Sequence, residues 1–162
     1  MFALELNGLE ETRAQFDGYP AALQAALSAK AAELAGALVD LVKDDKLSGA
    51  VLNARSGALS DSITANVTAE GDDILASVGS KGDVKYAAIQ EYGGKTSAHE
   101  ILPVKGNVLA FVSGNGQHFA RRVEHPGSVI PERSYLRSSL DDMKDEIVNG
   151  LANAAAEAWE SA

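Results

Sequence analysis

Cysteine is absent from the 162 residues of the chain. Disulfide bonds and metal sites built on thiolate ligands are therefore excluded, and the composition fits folding in a reducing cytosol. Long apolar runs are also missing, since no stretch approaches the roughly 20 residues that a membrane-spanning helix needs. Residues 1–7 lack the basic start of a secretory signal peptide. We therefore expect a soluble protein that starts inside a cell and has no membrane partner.

Positive charge is scarce: 14 Lys and Arg residues stand against 23 Asp and Glu residues, a formal net charge of −9. A protein that holds duplex DNA by its phosphates needs clustered Lys and Arg, so we expect weak or no binding to DNA at physiological salt. Solubility is the ordinary reason for such a charge. The alternative is a surface past which DNA slides without sticking.

The residue patterns of catalytic and metal sites are missing as well. His99, His118 and His125 are nineteen and seven residues apart, so no two of them form the i, i+4 pair of a zinc-binding helix. The chain contains no Gly-x-Ser-x-Gly turn, dinucleotide-binding glycine motif or Walker loop. The carboxylate pair Asp141-Asp142 is typical of a solvated turn or a first helical turn. We predict no enzymatic activity, no catalytic residues, no cofactor and no metal.

The length and a hydrophobic content of 46% fit one globular domain spanning residues 1–162. Periodicity divides it into a possible arm at 1–19, a helix at 20–45, a sheet core at 60–125 and a C-terminal helix at 132–160. The predicted fold class is α+β, a mostly antiparallel sheet packed by a long N-terminal helix, a long C-terminal helix and one short helix. Because alanine contributes little apolar area, the core is light and its stability is expected to depend on partners.

Two hairpins are predicted in the sheet from alternating apolar residues and turn-forming glycines. Their strands are 63–69 with 74–78, and 108–112 with 118–123. Asn-Gly at the tip of the second hairpin is one of the stronger short-range hairpin signals. His118 and His125 are placed at or near the two ends of its second strand, and His99 in the preceding loop.

Prolines, glycines and tyrosines mark the helices. Pro20 suits the first turn of the N-terminal helix, because its missing N–H costs nothing there. Gly93 suits a left-handed cap at the end of the short helix. Tyr86, Ile89 and Tyr92 fall on one side of that helix, and we predict that they pack it onto the sheet.

Short motifs follow one another along the chain in a definite order. They are Ser56-Gly57-Ala58-Leu59-Ser60-Asp61-Ser62-Ile63, Val78-Gly79, Tyr86-Ala87-Ala88-Ile89-Gln90-Glu91-Tyr92-Gly93, Ile101-Leu102-Pro103, His125-Pro126-Gly127 and Pro131-Glu132-Arg133-Ser134-Tyr135-Leu136-Arg137. In this order, over roughly residues 20–155, the chain resembles the small head–tail joining proteins (neck and tail-completion proteins) of long-tailed bacteriophages. It departs at Tyr135, where the family often has Phe, and at Ser134, where Pro is common. Each motif alone occurs by chance, so the ordered set carries the resemblance.

The resemblance implies a structural virion protein that forms a ring at the head–tail junction and is needed to join or complete the tail. It fits a neck or tail-completion protein, with a tail terminator ring capping the tail tube as the alternative. The implied partners are copies of itself in a cyclic homo-oligomer, neighbouring head-completion proteins, and tail-tube or tail-terminator proteins. DNA would only pass through the lumen. The implied location is the virion, after assembly in the host bacterial cytoplasm.

A rigid, exposed corner is expected to contact the next subunit or the adjoining ring. It combines the end of the short helix with the His-Pro-Gly turn and the start of the last helix, where Arg133 and Arg137 are predicted one turn apart. Both arginines can then face an acidic neighbour. The predicted assembly interface consists of Gln90, Glu91, Tyr92, Gly93, His125, Pro126, Gly127, Arg133 and Arg137.

Functions of other classes remain as alternatives. A DNA-binding adaptor would need a basic face, and the pair Arg121-Arg122 lacks interleaved aromatic residues. A small hydrolase would have to use His125, His118 or a loop serine, without a visible triad. A scaffold protein of a bacterial secretion tube or of a prophage-derived particle would share the same architecture.

Overall fold

The computed structural model describes residues 9–53, 56–71, 73–82, 84–104, 106–114 and 116–161. Its helices are α1 (Leu9–Leu41), α2 (Ala58–Ser62), α3 (Ala87–Tyr92), α4 (Leu136–Asp142) and α5 (Lys144–Ser161), and a π-helical turn, Val42–Lys46, continues α1. Its strands are β1 (Ile63–Glu70), β2 (Asp73–Ser80), β3 (Gly94–Lys95), β4 (His99–Ile101), β5 (Leu109–Ser113), β6 (Gly116–Ala120), β7 (Val123–His125) and β8 (Val129–Ile130). Residues 1–8 of the predicted arm and Asn115 of the predicted hairpin tip lie outside the described residues.

The α+β fold class is confirmed, with about 49% of residues in helices, 26% in strands and long helices near both ends of the chain. Within the described ranges the strands form four two-stranded antiparallel sheets rather than one continuous sheet: β1–β2, β3–β8, β4–β7 and β5–β6. Both predicted hairpins are present, as β1–β2 and β5–β6. None of the described helices combines the length and apolarity that spanning a membrane requires.

The chain divides into two compact units. The helical unit comprises the residues up to Ala87 together with those from Ser134 onward, and the ribbon unit runs from Ala88 to Arg133. The helical unit holds the β1–β2 hairpin and the helices α1, α2, α4 and α5, whereas the other six strands belong to the ribbon unit. The single domain spanning residues 1–162 stays a prediction.

Helix α1 begins at Leu9, so the prediction of an arm up to residue 19 is wrong over its last eleven residues. Pro20 lies inside the helix instead of in its first turn. A proline in a helix interior costs about 3 kcal/mol or more, so other contacts have to offset it. The ring of Trp159 in α5 provides such contacts, with its centroid 5.3 Å from that of Phe16 and 5.0 Å from that of Tyr19, both edge to face. Packing on α5 therefore stabilises the turns before Pro20.

The main core lies at the C-terminal end of α1. Leu34, Leu38 and Val42 follow one another at four-residue spacing and are buried. The backbone N–H of Leu47 donates to the carbonyl of Val42 at 2.9 Å, which is the i to i+5 pattern of a π-helix. The buried apolar cluster consists of Leu38, Val42, Leu47, Ile63, Tyr135 and Met143.

Tyr135 is the largest fully buried side chain, with 1% of its surface exposed. Its hydroxyl donates a hydrogen bond to the backbone carbonyl of Ala87 at 3.3 Å, so its polar end is satisfied inside the core. Its own carbonyl accepts a hydrogen bond from the hydroxyl of the buried Ser139 at 2.7 Å. Tyr135 thus joins the start of α4 to the start of α3.

The prediction that tyrosines pack the short helix onto the sheet is wrong. Tyr86 precedes α3 and is 44% exposed, and Tyr92 is exposed as well. The buried residues of α3 are Ala87 and Glu91, four residues apart on one face. Because the small Ala87 faces inward, the Tyr135 hydroxyl can approach its backbone carbonyl, and the aromatic side chains are left outside.

The long helix predicted at 132–160 is interrupted. It starts only at Leu136, and Met143, whose buried side chain belongs to the core cluster, separates α4 from α5. Asp142 therefore lies at the end of α4 and not in a first helical turn. Its carboxylate accepts a hydrogen bond from Lys46 Nζ at 2.6 Å, and Asp45 lies 3.3 Å from the same ammonium group. These contacts tether α4 to the π-helical turn.

We expect Tyr135→Ala to lower the free energy of unfolding by about 3–5 kcal/mol, the range for removing a buried aromatic side chain. Tyr135→Phe should cost about 0.5–1.5 kcal/mol, because it removes only the hydrogen bond to Ala87. Tyr86→Ala is the control and should cost less than about 1 kcal/mol, since that side chain is nearly half exposed. Urea denaturation followed by circular dichroism measures all three changes. Equal losses for Tyr86→Ala and Tyr135→Ala would contradict this description of the core.

The Lys46 contacts predict a pH dependence of stability. The hydrogen bond to Asp142, opposed in part by desolvation, raises the pKa of Lys46 above its usual 10.5. A raised lysine pKa means that the ion pair stabilises the folded state below that usual value and is lost as the pH rises through the raised one. Wild type should therefore be more stable than Lys46→Met at neutral pH, and the difference should shrink above pH 10.5. Thermal melts across this range, with Lys43→Met as the control, measure it. A difference that does not change with pH would show that packing, not charge, is lost.

Candidate assembly surface

The ribbon unit is built on one long antiparallel pairing, which we call the ribbon (residues 94–130). At its base Gly94 lies opposite Ile130, and farther along His99 lies opposite His125. Both pairs belong to one register, because each step forward on one strand matches one step back on the other. β3–β8 and β4–β7 are therefore two parts of a single interrupted ladder.

Beyond β4–β7 the two strands run through unequal lengths of chain before they pair again. Residues 102–108 connect β4 to β5, whereas only residues 121 and 122 connect β6 to β7. The β5–β6 hairpin then forms the tip of the ribbon, with Leu109 opposite Ala120. The tip therefore has a register of its own, displaced by five residues from that of the base.

The His125-Pro126-Gly127 segment lies within the ribbon, so the prediction that it connects the second hairpin to the last helix is wrong. It separates β7 from β8. On the facing strand, the N–H of Thr96 donates to the carbonyl of Ser128 at 2.9 Å, and the N–H of Ser128 donates to Thr96 Oγ1 at 2.7 Å. The N–H of Gly127 donates to His125 Nδ1 at 3.0 Å. Because proline has no N–H for a ladder, this segment interrupts the pairing while keeping its register.

Two glycines of the predicted interface occupy positions that exclude a side chain. Gly127 has a φ of +88°, and a Cβ there would overlap the carbonyl oxygen of Thr96. Gly93 has a φ of +68°, which confirms the predicted left-handed cap of α3. A Cβ at Gly93 would lie 2.7 Å from the backbone nitrogen of Glu132. These close approaches hold the backbone of the ribbon base in one shape.

Gln90 and Arg133 are brought together through the backbone, because the N–H of Arg133 donates to the carbonyl of Gln90 at 2.9 Å. Arg133 precedes α4, which begins at Leu136, so the prediction that Arg133 and Arg137 lie one turn apart on a helix is wrong. Arg133 belongs to the ribbon unit and Arg137 to the helical unit.

Burial separates the residues of the predicted assembly interface into three groups. Glu91 is buried, so its carboxylate belongs to the interior and not to a contact surface. The half-buried residues are Gln90, Gly93, His125 and Gly127. The exposed residues are Tyr92, Pro126, Arg133 and Arg137. The assembly role of this set as a whole stays a prediction.

The histidines lie on strands. The rings of His99 and His125 stack across the β4–β7 ladder with centroids 5.0 Å apart. The predicted loop position of His99 is therefore wrong, and His118 and His125 lie on different strands, β6 and β7. Such cross-strand stacking stabilises a ladder. In the parts of the chain that the structure describes, no three His, Asp or Glu residues are grouped to hold a metal ion.

Sequence reasoning missed the exposed apolar side chains of the ribbon. Val112 on β5 and Phe119 on β6 lie on the same face of the tip and are 79% and 65% exposed. Other exposed apolar residues of the ribbon are Ile101, Leu102, Val104, Val108, Phe111 and Val129. The run Leu109-Ala110-Phe111-Val112 was the available signal, because consecutive apolar residues on a strand point to both faces. A two-stranded hairpin cannot cover both faces by itself.

Charge also separates the two units. The ribbon unit has five Lys and Arg residues against four Glu residues, a net charge of +1. The helical unit therefore has a net charge of −10, which gives the total of −9. Helices α1 and α5 together contain nine acidic and three basic residues. The acidity of the chain is thus concentrated in the helical unit.

No family model matches the chain, and no curated protein and no solved structure shows a significant match to it.

We expect Gly127→Ala to destabilise the ribbon more than Gly106→Ala. The two glycines have nearly the same φ, +88° and +85°, so either substitution meets the same backbone strain. Only Gly127→Ala also drives a Cβ into the Thr96 carbonyl, because the space around Gly106 is open. Amide hydrogen exchange at Thr96 and Ser128 should become roughly ten-fold faster or more in Gly127→Ala alone. Equal acceleration in both variants would contradict the close approach.

Proposed function

We propose that the protein is a structural subunit of the head–tail junction of a long-tailed bacteriophage. In this proposal it forms a closed ring with copies of itself as a neck or tail-completion protein, and a tail terminator ring is the second candidate. It acts by binding and not by catalysis. It is assembled in the host bacterial cytoplasm and is located in the virion.

The observation that carries the proposal is that three of the six ordered motifs contain residues on which the described structure depends. Tyr135, in the last motif, is the largest fully buried side chain. Gly93 and Gly127, in two others, occupy backbone positions that exclude a side chain. These positions support the resemblance, and the phage function follows from the resemblance by analogy.

The ribbon supports a role in assembly. Short two-stranded hairpins are marginal in water and leave unpaired strand edges, which tend to pair with or pack on another chain. Here the tip also exposes Val112 and Phe119. A subunit that completes its burial against neighbours fits this surface, and ring-forming proteins of the head–tail junction are such subunits.

The concentration of acidic charge supports the expected relation to DNA. A helical unit with a net charge of −10 repels phosphates, so a lumen lined by it would let DNA pass without holding it. The neighbouring partners in this proposal are head-completion proteins on one side and tail-tube or tail-terminator proteins on the other.

Loss of the protein tests the proposal. In a phage whose copy of the gene is interrupted, we expect filled heads and free tails to accumulate separately, and joined virions to return when the wild-type protein is supplied. Electron microscopy of lysates and plaque counts measure both. As a control for folding, the supplied Tyr135→Ala variant should fail and Tyr86→Ala should restore joining. Normal yields of joined virions without the protein would overturn the proposal.

A further inference from the structure

The tip of the ribbon has an exposed apolar face. Val112 and Phe119 lie next to each other on this face and are 79% and 65% exposed. Arg121 and Arg122 connect β6 to β7, and Arg122 lies 3.4 Å from the carboxylate of Glu100 in the same ribbon. The tip is therefore an apolar surface beside one exposed arginine, Arg121, and one that is already paired within the ribbon.

A groove lies between α1 and α5. The two helices run antiparallel, with Trp159 beside Phe16 at one end and Gly150 close to Lys30 farther along. The groove has a volume of about 660 Å³. Its floor is made mainly of small side chains: Ala22, Ala26, Ala29, Gly150, Ala154 and Ala158. Glu33 and Glu157 lie exposed along it.

We propose that the ribbon tip of one copy docks into the α1–α5 groove of the next copy. Val112 and Phe119 enter the space that the alanines leave, and Arg121 beside the tip faces the acidic helices. The two tip side chains are exposed, and the groove residues are half-buried or exposed except for the buried Ala158, so docking would bury apolar area on each surface. The charges of the two units, +1 and −10, favour the encounter. This inference rests on the proposed function, because it names the contact that would close the proposed ring.

A second copy of the chain fits the tip better than DNA does. Phosphates would satisfy Arg121 but would leave Val112 and Phe119 in water, and Arg122 already lies 3.4 Å from Glu100. A groove lined mainly by alanine, with Glu157 exposed along it and Glu33 paired with Lys30, offers both apolar contact and carboxylates. The contact is heterologous, because the tip and the groove are different surfaces, and repeated heterologous contacts close into a ring or continue as a filament.

Self-association of the purified protein provides the first test. The tip variant Val112→Ser with Phe119→Ser and the groove variant Glu33→Lys with Glu157→Lys should each weaken association at least about 30-fold, as loss of a central contact does. Wild type should have a mass several times 16.9 kDa, and both variants should fall to 16.9 kDa by light scattering. Leu75→Ser on β2 is the matched control, because Leu75 is 65% exposed, as Phe119 is. It should assemble as wild type does.

Mixing the two variants gives the sharper test. The tip variant keeps an intact groove and the groove variant keeps an intact tip, so an equal mixture can form one productive contact and no further one. We therefore expect dimers of about twice 16.9 kDa from the mixture and monomers from each variant alone. A tip-to-tip contact would instead leave the groove variant assembled, and that result would overturn the inference.

Further outcomes separate the remaining possibilities. Thermal melts show whether each variant is folded. If the tip variant is unfolded, the mass of the groove variant by light scattering tests the docking instead. A wild type that stays monomeric at high concentration overturns the docking, while the phage experiment above still tests the proposed function. If the tip variant assembles normally but loses salt-dependent binding to duplex DNA that wild type shows, DNA is the occupant of the tip and the inference is wrong.

Discussion

Burial of Tyr135 at the C-terminal end of α1 is the constraint on which the helical unit depends. This one side chain contacts the apolar cluster, and its hydroxyl reaches the backbone of α3. Tyr135 lies directly before Leu136, the first residue of α4. Met143, between α4 and α5, enters the same core. The buried cluster thus ties α4 to the π-helical turn, and the Tyr135 hydroxyl binds the backbone of Ala87.

The remainder of the molecule has much less core. Away from that cluster, the groove between α1 and α5 is lined largely by alanine and glycine, whose burial contributes little free energy, and the aromatic contacts between the two helices are those of Trp159 with Phe16 and Tyr19. The ribbon unit consists of short two-stranded ladders and exposes apolar side chains on its tip. In the proposed assembly, the apolar ribbon tip and the helical groove would be the two complementary surfaces of a head-to-tail contact.

Local patterns predicted the hairpins and the end of α3 well. Alternation over residues 63–78 and a turn-forming glycine specify β1–β2 because the strand period of two is a local property. Gly93 could be assigned to a left-handed cap because such backbone angles exclude most other residues. The candidate site was predicted in part: Gln90 and Arg133 do meet, and Gly127 is structurally required. Its exposed apolar tip was missed, and His125-Pro126-Gly127 was placed in a turn because proline and glycine occur in turns and in strand interruptions alike.

The sequence alone determined the α+β class, the presence of the two hairpins, the left-handed cap at Gly93 and the excess of acidic charge. These features follow from side-chain period and backbone sterics, which act over a few neighbouring residues, and from composition, which does not depend on residue order. Only the tertiary structure decided that the helix continues through Pro20, that Ala87 and not Tyr86 faces inward, and that the charge is divided between two units. Each of these depends on residues far apart in the chain, such as Tyr19 with Trp159 or Ala87 with Tyr135. Contacts of that range can override local propensity because they bury area that no local pattern records.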